Sequence, residues 1–232
     1  MLNISDLSSV DKQKVFDYLK WNSFRSEKYK VLYVSTPKVA STTLKWWFAS
    51  LEGCSQALRG VGEAAGSNSD QVVHEFHKVA PHVSGLEIDD LLEPLLADTY
   101  FRFAAVRNPY KRIFSAWQSK ILLQDPEQVA SYPKFELLQQ PVKSVAEVAS
   151  AFEAFLEYLA SNSASSPEKD FWAPQATLLR PDLINYSLLV KIENSSELHK
   201  ALSEHFGEQA ADPFAEPSQS ENVIPFLPAF IT

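Results

Sequence analysis

Between Pro37 and Leu44 the chain reads Pro-Lys-Val-Ala-Ser-Thr-Thr-Leu, a lysine followed at once by three consecutive hydroxyl side chains. Lys38 can offer a point charge, and Ser41, Thr42 and Thr43 can donate to phosphate oxygens, so the segment is a phosphate cradle in chemical type. It is not a Walker A loop, because G-x-x-x-x-G-K-[ST] is absent and Ala40 stands where a glycine hinge is usual. A second cationic segment runs from Arg102 to Lys120 with Arg102, Arg107, Lys111, Arg112 and Lys120 and no acid, and Lys28, Lys30, Lys38 and Lys45 lie in another acid-free stretch. Acids outnumber bases 29 to 21 overall, so two purely basic windows suggest surfaces meant for an anion.

Both windows need elements to aim them. Val31-Leu32-Tyr33-Val34-Ser35 is a β-branched and aromatic run bounded by Thr36-Pro37 and reads as a buried strand. Leu44, Trp47, Phe48 and Leu51 then form one helical stripe, with Gly53 placed for a left-handed cap. The unit repeats: Tyr100–Val106 reads as a strand, Arg107-Asn108-Pro109 as a turn, and Tyr110, Ile113, Phe114, Trp117 and Ile121 as a helical face. Ser144-Val145-Ala146-Glu147 matches a capping box opening another helix, Leu188–Ile192 reads as a strand, and Asn194-Ser195-Ser196-Glu197 starts a helix that stops near Gly207. Alternating strands and helices imply an α/β fold with a central parallel sheet flanked by helices, Val31–Ser35 and Tyr100–Val106 being inner strands. Ligands of such sheets sit beyond the carboxyl ends of the strands, where both basic loops fall. Residues 59–70 and 161–167 read as mobile loops, and four prolines from Pro213 to Pro228 make the C-terminal segment irregular.

Composition narrows the class. The chain has 232 residues, 45% hydrophobic and 22% charged, the balance of one folded domain over residues 1–232. A net charge of −8 argues against a protein held on nucleic acid by bulk electrostatics. Cys54 is the single cysteine, and no Cys/His cluster has zinc-ligand spacing, so no disulfide framework and no zinc finger are expected. Without an apolar run long enough to span a bilayer, no stable membrane insertion is expected. The expected compartment is the cytoplasm, with a lumenal domain separated from its anchor as the alternative.

The ordered pair of motifs, Pro37–Leu44 and then Val106-Arg107-Asn108-Pro109-Tyr110-Lys111-Arg112-Ile113-Phe114-Ser115-Ala116-Trp117, resembles the two nucleotide-binding signatures of sulfotransferases that use 3'-phosphoadenosine 5'-phosphosulfate (PAPS). The variant is similar to the carbohydrate sulfotransferases, the sulfotransferase family 2 type, more than to the cytosolic small-molecule group. Trp172-Ala173-Pro174-Gln175 and Leu189-Val190-Lys191-Ile192-Glu193-Asn194 are similar to later landmarks of that group. The resemblance implies a P-loop-like three-layer fold, PAPS as donor co-substrate without a metal, and a carbohydrate or other hydroxyl as acceptor. It also implies that this chain lacks the family's last C-terminal helix.

Carried over residue by residue, the resemblance places Lys38, Ala40, Ser41, Thr42 and Thr43 around the 5'-phosphosulfate and Arg107 and Ser115 at the 3'-phosphate. Lys38 would stabilise the leaving phosphate. Arg112 is either a second anion contact or a structural ion pair. Related enzymes often draw a catalytic base from the stretch between the signatures, where Val72-Val73-His74-Glu75-Phe76-His77-Lys78 offers His74, then His77, then Glu75. Phe171 stands where the family often has a histidine, so a base from that region is not expected. Trp46, Trp47 and Trp172 read as core, with stacking on adenine or a sugar as the alternative. The competing functions are a P-loop-type nucleotide kinase and a non-catalytic nucleotide- or glycan-binding module.

Overall fold

The computed structural model describes residues 8–65, 72–123, 132, 144–162 and 169–206. In chain order these form α1 (Ser9–Asn22), β1 (Ser23–Ser26), β2 (Val31–Val34), α2 (Ser41–Leu51), α3 (Ser55–Ala65), a 3-10 turn (Val73–Glu75) running into α4 (Phe76–Val79), and α5 (Ile88–Leu96). There follow β3 (Phe101–Val106), α6 (Pro109–Trp117) with a π turn (Gln118–Leu122), α7 (Val145–Asn162), α8 (Lys169–Trp172), α9 (Gln175–Leu179), β4 (Leu188–Lys191) and α10 (Ser195–Phe206). The chain divides into two compact units at Arg107/Asn108 and again at Pro174/Gln175.

The first unit contains the sheet, in the order β1-β2-β3-β4. β2 pairs with β3 and β3 with β4 in parallel, with Val34 opposite Ala104 and Ala105 opposite Val190. The expected parallel sheet needs one correction: β1, too short and polar to read as a strand, adds to β2 in antiparallel register, Phe24 opposite Tyr33. Side chains alternate along each strand. Val31, Tyr33, Phe103 and Ala105 therefore join Leu44, Trp47, Phe48 and Leu58 from α2 and α3 on one face. Leu32, Val34 and Ala104 meet Val15, Phe16 and Leu19 of α1 and Leu91 and Leu95 of α5 on the other. Helices thus cover both faces, which is why β2 reads as a continuous apolar run and β3 as one interrupted by Arg102. Tyr33 stacks on Phe103 at 5.0 Å, and each such buried ring contributes about 1.5–3 kcal/mol.

Two local expectations change. Residues 59–65 belong to α3 and residues 161–162 to α7, not to loops, and Gly62 is needed in α3 because a Cβ would run into the Val72 side chain. Residues 66–70, 163–167 and the C-terminal prolines lie outside the described residues. Gly53 has φ 69°, closing α2 with the left-handed residue the sequence called for.

In the second unit, Pro109 opens α6 and the Asn108 side chain accepts from the Tyr110 and Lys111 amides at 3.0 and 3.3 Å. Trp117 and Ile121 are buried with Val148, Phe155 and Trp172. Tyr110, placed on that face by periodicity, is 81% exposed, whereas Ile121 reaches the core through the π turn. Ser144 Oγ accepts from the Glu147 amide at 3.3 Å at the start of α7, as the capping box predicts.

Candidate active site

The loop from β2 to α2 is tight and strained. Lys38 (φ 66°) and Ala40 (φ 55°) both occupy the left-handed region, where a side chain costs about 1–2 kcal/mol. Ala40 thus adopts the backbone shape a glycine would take freely. Its carbonyl accepts from Leu44 N at 3.0 Å, starting α2, and no side chain caps that helix. Ser41, Thr42 and Thr43 form its first turn and are half-buried. The amides, hydroxyls and dipole of this turn, with Lys38 in the loop before it, suit an anionic group.

Arg107 follows directly on β3, the strand beside β2. Its guanidinium Nη1 donates to the Lys38 carbonyl at 3.2 Å, so the two signature loops meet. Its backbone is clasped by one side chain: Arg107 N donates to Gln175 Oε1 at 2.9 Å, and Gln175 Nε2 donates to the Arg107 carbonyl at 2.8 Å. Burial pushes the guanidinium below its ordinary pKa, with Glu193 opposing, yet an arginine stays a cation throughout.

The basic windows prove mixed in purpose. Arg102 is buried and spends its guanidinium on carbonyls, Asn185 at 2.7 Å and Ala97 at 2.7 Å among them, closing the C-terminal end of α5. Lys30 pairs with Glu93 at 3.2 Å, and Lys28 lies over the Tyr29 ring. Within the second unit, Arg112 donates to the carbonyls of Ala173 at 2.8 Å and Asp170 at 3.0 Å, and Lys120 sits 4.3 Å from the Phe171 ring centre. Ser115 lies half-buried in α6 of the same unit. Trp47 and Trp172 are core residues, while half-buried Trp46 carries Arg59 over its ring.

The stretch between the signatures separates its candidates. His74 is exposed on the 3-10 turn, and its Nδ1 lies 3.3 Å from Nζ of Lys45, a residue of α2. His77 packs edge-on against Trp21 at 5.3 Å. Glu75 pairs with Lys78, which holds its carboxyl below the usual range and makes it a weaker base. The sequence reading missed the contact between Lys45 and His74, because residue type alone does not separate a lysine on the surface from one under it. Lys45 follows Leu44, on the buried side of α2, and that position was the available signal.

A model of the sulfotransferase family matches residues 21–221. The chain belongs to the sulfotransferase family. Carbohydrate sulfotransferase 10 of Xenopus laevis is 32% identical over 100 residues, 43% of this chain and 26% of that protein. The Rattus norvegicus carbohydrate sulfotransferase 10 is 25% identical over 201 residues, 79% of this chain and 52% of its own length. Carbohydrate sulfotransferase 12 of Mus musculus is 25% identical over 191 residues, 74% of this chain and 45% of its own. The chain thus spans about half the length, or less, of these sulfotransferases. No solved structure matches it. Among the described residues, no helix of this sulfotransferase-family chain is long and apolar enough to cross a membrane, and no cluster of His, Cys, Asp and Glu could hold a metal ion.

Proposed function

We propose that the chain transfers a sulfuryl group from PAPS to a hydroxyl of a carbohydrate. The observation that carries the reading is the hydrogen bond from Arg107 to the Lys38 carbonyl, which joins the two signature loops at the carboxyl ends of adjacent parallel strands. PAPS supplies a sulfonate on a phosphate leaving group. Lys38 stabilises charge on that leaving phosphate, Ser41, Thr42 and Thr43 hold the phosphosulfate, and Arg107 and Ser115 hold the 3'-phosphate. His74 takes the acceptor's proton, a role supported by its exposure and by the packing of His77 on Trp21. The carbohydrate acceptor is supported by the names of the relatives.

Thermal shift with 3',5'-bisphosphoadenosine, with ATP plus magnesium, and with neither tests the donor site. Stabilisation by the bisphosphate alone is the expected result, and stabilisation by ATP–magnesium alone would favour a kinase. Transfer of labelled sulfonate to a panel of glycans tests turnover, and binding without transfer would leave a nucleotide-binding module.

A further inference from the structure

The contact between Lys45 and His74 has a chemical consequence. Lys45 is 6% exposed, and its Nζ lies 5.4 Å from the centre of the Phe24 ring and 3.3 Å from Nδ1 of His74. Among the described residues, the titratable groups beside the pair are Glu75, Lys78 and His77; Glu75 and Lys78 are bound to each other, and His77 is turned against Trp21. Burial pushes the Lys45 amine down to about 8, and among the described residues no carboxylate draws it back. A proton on this amine is therefore held loosely.

An ammonium has only donors, whereas an amine also has a lone pair. While Lys45 is protonated it donates to Nδ1, so neutral His74 must carry its own proton on Nε2 and cannot accept another there. Once Lys45 is deprotonated, Nδ1–H donates to the amine and Nε2 is left bare. We propose that Lys45 is a positioning residue for sulfuryl transfer: its amine decides which ring nitrogen of His74 carries the proton, and its neutral form readies Nε2 as the base. In the step itself the acceptor oxygen forms its bond to sulfur as the sulfur–leaving-oxygen bond breaks, and the hydroxyl proton passes to Nε2. The Nδ1 proton moves onto the Lys45 amine, which becomes an ammonium. This rests on the reading of the chain as a sulfotransferase with His74 as base.

Nitrogen-15 NMR of the full chain, labelled at histidine, tests the pair without any acceptor. In the wild type the two ring nitrogens of His74 should exchange roles as pH rises through about 8, Nδ1 passing from bare to protonated. Lys45→Met, similar in length and apolar, should abolish that exchange. It should also lower turnover about tenfold or more and remove the rise in kcat through the same pH range, with 3',5'-bisphosphoadenosine binding unchanged. A wild-type His74 whose nitrogens do not exchange overturns the proposal even where Lys45→Met does not fold. An exchange that survives in Lys45→Met overturns it too, as does wild-type turnover in that variant. Failure of the wild type to bind the bisphosphate overturns the sulfotransferase reading instead, and that result is separate from the exchange of the ring nitrogens.

Discussion

The Arg107 guanidinium reaches back to the carbonyl of Lys38, so the residue assigned to one phosphate of the donor also fixes the loop assigned to the other. Arg107→Ala should weaken binding of 3',5'-bisphosphoadenosine by about 2–4 kcal/mol, since a charged contact is lost in a partly buried site. Calorimetry with adenosine 5'-phosphate isolates the two effects: a smaller loss there leaves the difference to the 3'-phosphate. Equal losses would mean that Arg107 acts only through the loop.

Ala40 carries backbone strain that its own side chain causes. Ala40→Gly should relieve about 1–2 kcal/mol of it and give back about 0.5–1 kcal/mol in unfolded-state entropy, a net gain near 0.5–1 kcal/mol. A β-branched residue at the same position should destabilise. Urea midpoints of Ala40→Gly and Ala40→Val, moving in opposite directions from the wild type, check both.

His74→Ala should lower kcat by about 10²–10⁴-fold while nucleotide affinity stays as it was. His77→Ala should instead cost stability, about 0.5–1.5 kcal/mol from its edge-on contact with Trp21, and little turnover. Steady-state kinetics beside thermal melts distinguish them. The assignment fails if the two variants exchange phenotypes.

For Arg102 the expected damage is to folding. Arg102→Met leaves the part-buried carbonyls of Ala97 and Asn185 and the buried carbonyl of Pro94 without their donor and should cost about 3 kcal/mol. Nucleotide affinity of the folded fraction should not change. A selective loss of nucleotide binding with normal stability would return Arg102 to the anion site.

Lys45 also gives stability a pH dependence. Its pKa is about 8 folded against 10.5 in the unfolded reference, so between those values the unfolded chain holds the extra proton. Its contribution to the unfolding free energy therefore rises with pH from about 8 to 10.5 and is flat below. Denaturation across that window should show a steeper rise for the wild type than for Lys45→Met; parallel curves would place the amine in water.

Much of the site's scaffold was legible because it is written in periodicity. β2, β3 and α2 announce themselves by apolar runs and a helical stripe, and Asn108-Pro109 by the chemistry of a helix start. β1 escaped notice because Ser23-Phe24-Arg25-Ser26 offers a single apolar side chain, and its place comes from pairing with β2. α5 carries Pro94 within it, which reads as a breaker. Charge misled in the opposite direction. Arg102, Arg112 and Lys45 look identical in sequence to anion-binding residues, and only their surroundings show that the two arginines hold carbonyls and the lysine faces a histidine.

The Gln175 clasp has a topological consequence. The first unit breaks off after Arg107 and resumes at Gln175, and the bonds joining those two residues are 2.8 and 2.9 Å long. Residues 108–174 are therefore a cassette flanked by two residues that lie within one glutamine side chain of each other, an arrangement in which inserted domains are well tolerated. A few-residue splice from Arg107 to Gln175 would leave β3, α9 and β4 in continuous chain order, with only the length of one glutamine side chain to bridge. One glutamine amide, imitating a peptide group with its paired donor and acceptor, stitches that seam shut.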